Sequence, residues 1–341
     1  LNDLSNAKAE LIIDNTGLDK ARAATTLLDL GETGELAAKL TVINANVQLI
    51  GAKLGEVSLK DSVASVKVDE VASLQANNSQ LTQAKDAQVA NLQLTGGSWN
   101  QAGFALNADS YKFTGSTLQL SGPFNQAAND LMVDGFTVEL AKSGTWNSVR
   151  VINGGVITTP IAADISTAGI KITANEIEVD ASSRIDVSGK GARKTTATPY
   201  YTGSSHGGKG GASSYGATSA SYGSFTEPRA QGIGGDPSNA IRGGGAIELN
   251  TPLLKLAGLL QANGQSAIHT VASWGSGSGG SILLSVDRLE LGDKGRIEAN
   301  GGALKLNECC QAGGGGGGRI AINYKQLSHT GAQPVITAKG G

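Results

Sequence analysis

"GIKITANEIEVDASSRIDVSGKG", residues 169–191, carries aliphatic side chains in pairs two residues apart: Ile170/Ile172, Ile177/Val179 and Ile185/Val187. Residues i and i+2 of a strand point to one face, whereas in a helix they diverge by about 200°. The stretch therefore predicts three short strands, each burying two side chains, with a turn after each. Residues 281–302, "SILLSVDRLELGDKGRIEANGG", repeat the pattern with Ile282/Leu284, Leu289/Leu291 and Ile297/Ala299 at the same spacing. Residues 246–265 and 319–341 follow it with small slips: Leu260/Ala262 comes two residues early, and the last unit offers Leu327/His329 and then Val335. Three strands in about 22 residues predict one coil of a right-handed parallel β-helix, an all-β repeat architecture in which coils stack at about 4.8 Å.

The first half repeats less regularly. Val47/Leu49, Val57/Leu59, Val66/Val68, Leu74/Ala76, Leu92/Leu94, Leu118/Leu120 and Val138/Leu140 are again paired, with Asn44, Gly51, Gly55, Asn77 and Asn78 at turns. A coiled coil competes here, since Leu54, Val63, Val66, Val71, Leu74, Leu81 and Val89 partly fit a heptad. The β-branched pairs and Asn/Gly turns favour strands. The reading is an N-terminal flank over 1–39, with a short helix expected within 18–40 from its Ala, Leu and Glu. Irregular coils follow over 40–168, and coils with glycine-rich insertions over 169–341. Both ends read as cuts in a longer polypeptide.

Of 341 residues, 49 are Gly; 14 of these fall in 1–168 and 35 in 169–341. Most of the excess lies in three insertions, 192–244, 265–280 and 302–318, the last ending in Gly313 to Gly318. All three leave after the third strand of a coil, which places them on one side of a solenoid. Glycine tracts either decorate flexibly or pack as polyproline II chains, whose backbones approach closely when side chains are absent. Each tract runs directly into a strand, which favours the ordered layer. Aromatic residues are 4% of the chain, yet Tyr200, Tyr201, Tyr215, Tyr222 and Phe225 lie in the longest insertion and Trp274 in the second. Their expected roles are anchoring the loops to the wall or contacting a ligand.

The formal net charge of −2 argues against nucleic-acid binding, and no apolar run is long enough for a membrane helix. Glu176, Glu178 and Asp180 face outward on one strand, as a solvated face or a weak Ca²⁺ site. With Asp186 and loop cations such as Arg193, Lys194 or Arg229, they are also where a polysaccharide-active β-helix enzyme would work. The paired Asp, Gly-His-Gly and Arg-Ile-Lys of polygalacturonase-like enzymes are absent; "SSHGG" around His206 matches only superficially. Cys309 and Cys310 are adjacent, so loop thiols or an unusual vicinal bridge are expected rather than a metal or redox site. No catalytic residue, cofactor or metal is expected.

The phrases "GSGGSILL" (277–284), "GRIEANGG" (295–302) and "GGGGGGRIAI" (313–322) resemble repeats of giant bacterial surface exoproteins of the haemagglutinin/adhesin type. That resemblance implies a secreted or cell-surface location, a right-handed coil, and a stalk or adhesive role. Its partners would be a cell-surface glycan or protein, or neighbouring copies of the chain. A phage receptor-binding tip is the other binding role that glycine-rich layers suit.

Overall fold

The computed structural model describes residues 10–16, 25–125, 129–163, 169–194, 201–213, 216–235, 241–267, 275–304, 312–331 and 333–341. Twenty-seven strands and no helix occur among them, so no helix there is long and apolar enough to cross a membrane. The strand registers are parallel throughout. The protein is all-β, built from large parallel sheets compatible with a β-solenoid. The chain divides into two units, Leu1–Asp130 with Asp134–Lys142, and Leu131–Val133 with Ser143–Gly341.

In the first unit the long strands Asn46–Lys60 and Val63–Asn77 pair residue for residue. Their inward positions form ladders. Val47, Ala64, Leu81, Trp99, Leu118 and Val138 succeed one another, and Leu40, Val57, Leu74 and Leu92 form a second series. All of these side chains are buried. The register advances 17 residues from Leu40 to Val57 and 20 from Leu118 to Val138, fewer than the 22 read from the glycine-rich half.

Turn chemistry follows the same step. Asn44, Asp61, Asn78, Gly96, Gly115 and Gly135 all have positive φ, a conformation that Asn, Asp and Gly reach most readily. Just beyond, Ser62 and Ser79 are buried, and each hydroxyl donates to the carbonyl two residues earlier, Lys60 at 2.7 Å and Asn77 at 2.9 Å. The core also admits two glutamines. Gln83 donates to Ala105 O at 2.6 Å and accepts from Trp99 Nε1 at 3.3 Å. Gln101 donates to Pro123 O and accepts from Ser121 and Gly122 N–H. Buried amides persist because their donors and acceptors are met.

Two expectations fail here. Residues 25–40, the described part of the stretch where a short helix is expected, hold the strands Thr26–Asp29, Glu35–Leu36 and the start of Lys39–Ile43; residues 17–24 lie outside the described residues. Leu36 and Leu40 occupy buried ladder positions against Leu54 and Val57, so tertiary pairing overrides helix propensity. The heptad reading also fails, because Val63 is exposed and its neighbour Ala64 is the buried one.

In the second unit Val149/Val151, Ile177/Val179, Leu254/Leu256 and Leu289/Leu291 stack as aliphatic pairs. Ile157, Ile185, Leu260, Ile297 and Ile336 form another ladder. Ile336, not the expected Val335, continues that series. The register advances 77 residues from Ile177 to Leu254, 35 to Leu289 and 38 to Leu327, because the glycine tracts lie between. His329 follows Leu291 on its ladder, as expected, but is exposed. Cys309, Cys310 and His269 lie outside the described residues.

Candidate functional site

The described residues of the glycine tracts in the second unit form a hydrogen-bonded layer. Its middle is residues 275–280, whose backbone and seryl groups bond to six other extended segments. Ser204 N–H donates to Ser276 O at 3.1 Å, and Ser278 N–H to Ile233 O at 3.0 Å. Gly244 N–H donates to Ser278 O at 2.9 Å, and Gly277 N–H to Gln265 O at 2.9 Å. Gly302 N–H donates to Gly277 O at 2.8 Å, and Ser276 N–H to Gly313 O at 3.0 Å. Ser276 and Ser278 are fully buried.

The six surrounding segments also join one another in a closed ring. Ser204 Oγ donates to Gly234 O, Gly232 N–H to Gly244 O, and Gln265 N–H to Arg242 O. Gly264 N–H donates to Asn300 O, Gly315 N–H to Gly302 O, and Gly316 N–H to Ser204 O, which closes the circuit. Six hydrogen-bonded neighbours around one chain is a bundle, since a strand in a sheet has two. Glycine is required for this approach: a Cβ on Gly315 would lie 1.9 Å from Gly277 O.

The layer is bolted to the sheet wall. Arg242 Nη1 donates to Ala162 O at 2.9 Å and Gly191 O at 3.3 Å. Burial and the nearby Arg193 hold the Arg242 pKa below its ordinary value. Burial also lowers the Lys194 pKa. Arg229 bridges Glu227 at 2.6 Å and Glu248 at 2.9 Å, and hydrogen bonds to these carboxylates raise its pKa.

The aromatic candidates divide. Tyr222 anchors: its hydroxyl donates to Gln231 O at 2.6 Å and its ring lies 4.7 Å from that of His206. Burial raises the Tyr222 pKa. Phe225, three residues on, is 77% exposed. Tyr201 is half-buried at a positive φ of 63°, and its carbonyl accepts from Gly313 N–H. Tyr200, Tyr215 and Trp274 lie outside the described residues.

His206, passed over in the sequence, is the buried hub beneath this loop. Its N–H donates to Gly208 O, its O accepts from Tyr222 N–H, and Nδ1 sits 2.7 Å from Gly279 O. Nε2 is buried without a hydrogen-bond partner. Burial lowers the His206 pKa, the bond to Gly279 opposes the shift, and Arg319 adds to it. The only sequence signal was a histidine in a tract of glycine and serine.

The carboxylates Glu176, Glu178 and Asp180 do not converge. Glu176 pairs with Lys255 at 2.7 Å and Glu178 with Arg150 at 2.9 Å. Asp180 accepts from Asn153 N–H at 2.7 Å and from Ser182 N–H at 2.9 Å. Burial opposes its charge, but these bonds prevail and hold its pKa low. No group of three or more His, Cys, Asp or Glu suited to a metal ion occurs among the described residues. No protein-family model, curated protein or solved structure matches the chain.

Proposed function

We propose that this chain is a structural and adhesive module of a large bacterial extracellular surface protein. In this reading the parallel sheets wind as a right-handed β-solenoid. Its coils take about 22 residues in the second unit once the glycine tracts are set aside, and fewer in the first. The glycine-rich layer is the contact face, and the partner is a cell-surface glycan or protein, or a neighbouring copy.

The observation that carries this reading is the closed ring of six segments around residues 275–280. A backbone-packed bundle loses little side-chain entropy on folding and holds its loops in fixed positions, which suits a surface that must bind without rearranging. Phe225, held out between the anchored Tyr222 and the ion-paired Arg229, is the contact residue we assign. An aromatic face at that position can stack on a sugar ring or enter an apolar pocket.

Binding of the purified chain to host cells and a glycan panel tests the proposal. Phe225→Ala is expected to weaken binding about tenfold or more, in line with loss of an aromatic hot spot, without altering the dichroism spectrum. Full binding by that variant, or no binding by the parent chain, would remove the reading. Polysaccharide cleavage that falls tenfold on Asp180→Ala would put the enzyme reading in its place.

A further inference from the structure

A cleft of about 460 Å³ opens on the sheet surface of the second unit. Its floor is a single register series, Arg184, Leu259, Arg296 and Val335, one residue from each of four successive strands. Lys294 and Asp293 stand at its side. Cations thus occupy alternate rungs, separated by two strand spacings or about 9.6 Å, with an aliphatic side chain on the rung between.

Each arginine has an acidic neighbour on its own strand: Asp186 at 3.5 Å from Arg184, and Glu298 at 2.5 Å from Arg296. These acids face other duties. Asp186 also accepts from Ser188 N–H at 2.9 Å. Glu298 also accepts from Gln261 at 3.0 Å and Asn263 at 3.4 Å, and its side chain is 9% exposed. The arginine side chains remain 45% and 54% exposed. With Lys294, three cations and one carboxylate line the cleft. A guanidinium has five N–H donors in a planar fork, so one paired edge leaves others to take a ligand carboxylate.

We propose that this cleft binds an acidic polysaccharide bearing a carboxylate on alternate sugars. The carboxylates sit on Arg184 and Arg296, and the apolar face of the intervening sugar lies over Leu259. Two strand spacings match a disaccharide repeat of an extended chain. A carboxylate on every sugar would bring one over Leu259, an aliphatic side chain that offers it no hydrogen bond. The inference goes beyond the adhesive reading: it assigns a second ligand surface, separate from the Phe225 loop.

Titration calorimetry with three hexasaccharides tests it: hyaluronan, with a carboxylate on alternate sugars; oligogalacturonate, with one on every sugar; and neutral maltohexaose. Hyaluronan is expected to bind most tightly and to weaken as salt rises. Arg184→Gln and Arg296→Gln should each weaken it about five- to tenfold. Equal binding of maltohexaose or oligogalacturonate overturns the proposal. So does hyaluronan binding that is indifferent to salt in the parent chain, to both arginine changes, or lost on Phe225→Ala. That last result would return the ligand to the glycine layer, whereas absence of cell binding by the parent chain, with hyaluronan still bound, would remove only the earlier reading.

Discussion

Residues 46–114 and the glycine bundle around residues 275–280 both align extended chain side by side, with opposite materials. In the first, β-branched and leucyl side chains fill the space between strands, and the buried ladders carry the stability. Each such side chain contributes about 1.5–3 kcal/mol by leaving water. In the second, there is almost no side chain to bury, and backbone N–H and C=O groups bond in several directions around residues 275–280. One region specifies its register through side-chain shape. The other specifies it through the absence of side chains, which lets carbonyls approach where a Cβ would clash.

The largest effect expected from that difference is at Gly315. Gly315→Val places carbon into Gly277 O and should open the ring as a unit, because every segment shares neighbours with the next. Hydrogen exchange would show protection lost together across residues 201–206, 231–235, 241–245, 262–267 and 313–318, while residues 46–77 stay protected. Loss confined to 313–318 would show that the ring is not cooperative.

Next is Leu74→Ala, which leaves a cavity in a fully buried ladder at a cost of about 2–5 kcal/mol. Urea unfolding of the first unit should shift to match, with the glycine layer unaffected. Smaller again is Asn78→Ala. Asn78 is exposed at φ 47°, and alanine there should cost about 1 kcal/mol, whereas Asn78→Gly should cost less. Equal losses from the two variants would mean that backbone conformation is not the reason for Asn.

The smallest effect separates the regions by pH. His206 has a folded pKa below the imidazole value of 6.5, so between the two values the unfolded layer binds more protons. Its contribution is complete above about pH 6.5 and is lost as pH falls through the lower folded value. Exchange protection in 201–211 should therefore decline on acidification in the parent chain. It should not follow that curve in His206→Asn, whose amide keeps a donor near the Nδ1 position. An identical acid response in both would assign the effect to another group.

Much of the framework was legible because a strand's period of two is a local property. Val47/Leu49, Val57/Leu59, Ile177/Val179 and Leu289/Leu291 all proved buried. Where local signals compete, a neighbour decides. Leu36 and Leu40 sit in a helix-favouring phrase but are claimed by Leu54 and Val57, and Ile336 takes the slot read as Val335 because Ile297 lies against it. Gln83 and Gln101 carry no local mark of burial, although their spacing of 18 matches the local register step from Leu81 to Trp99. Of the site, Tyr222 and Phe225 were visible as aromatics in a glycine tract. Their opposite fates, anchored and exposed, were not, because both readings fit the same composition.

The sequence alone determined that this chain is made of short strands with aliphatic pairs turned inward, since alternation along a strand needs no knowledge of what packs against it. It also marked the glycine tracts as fit for close backbone approach. Which tract lies beside which was decided only in three dimensions. A glycine has no side chain to record a face, so the ring around residues 275–280 and the alternate arginines of the cleft arise from segments brought together across as many as 112 residues of chain.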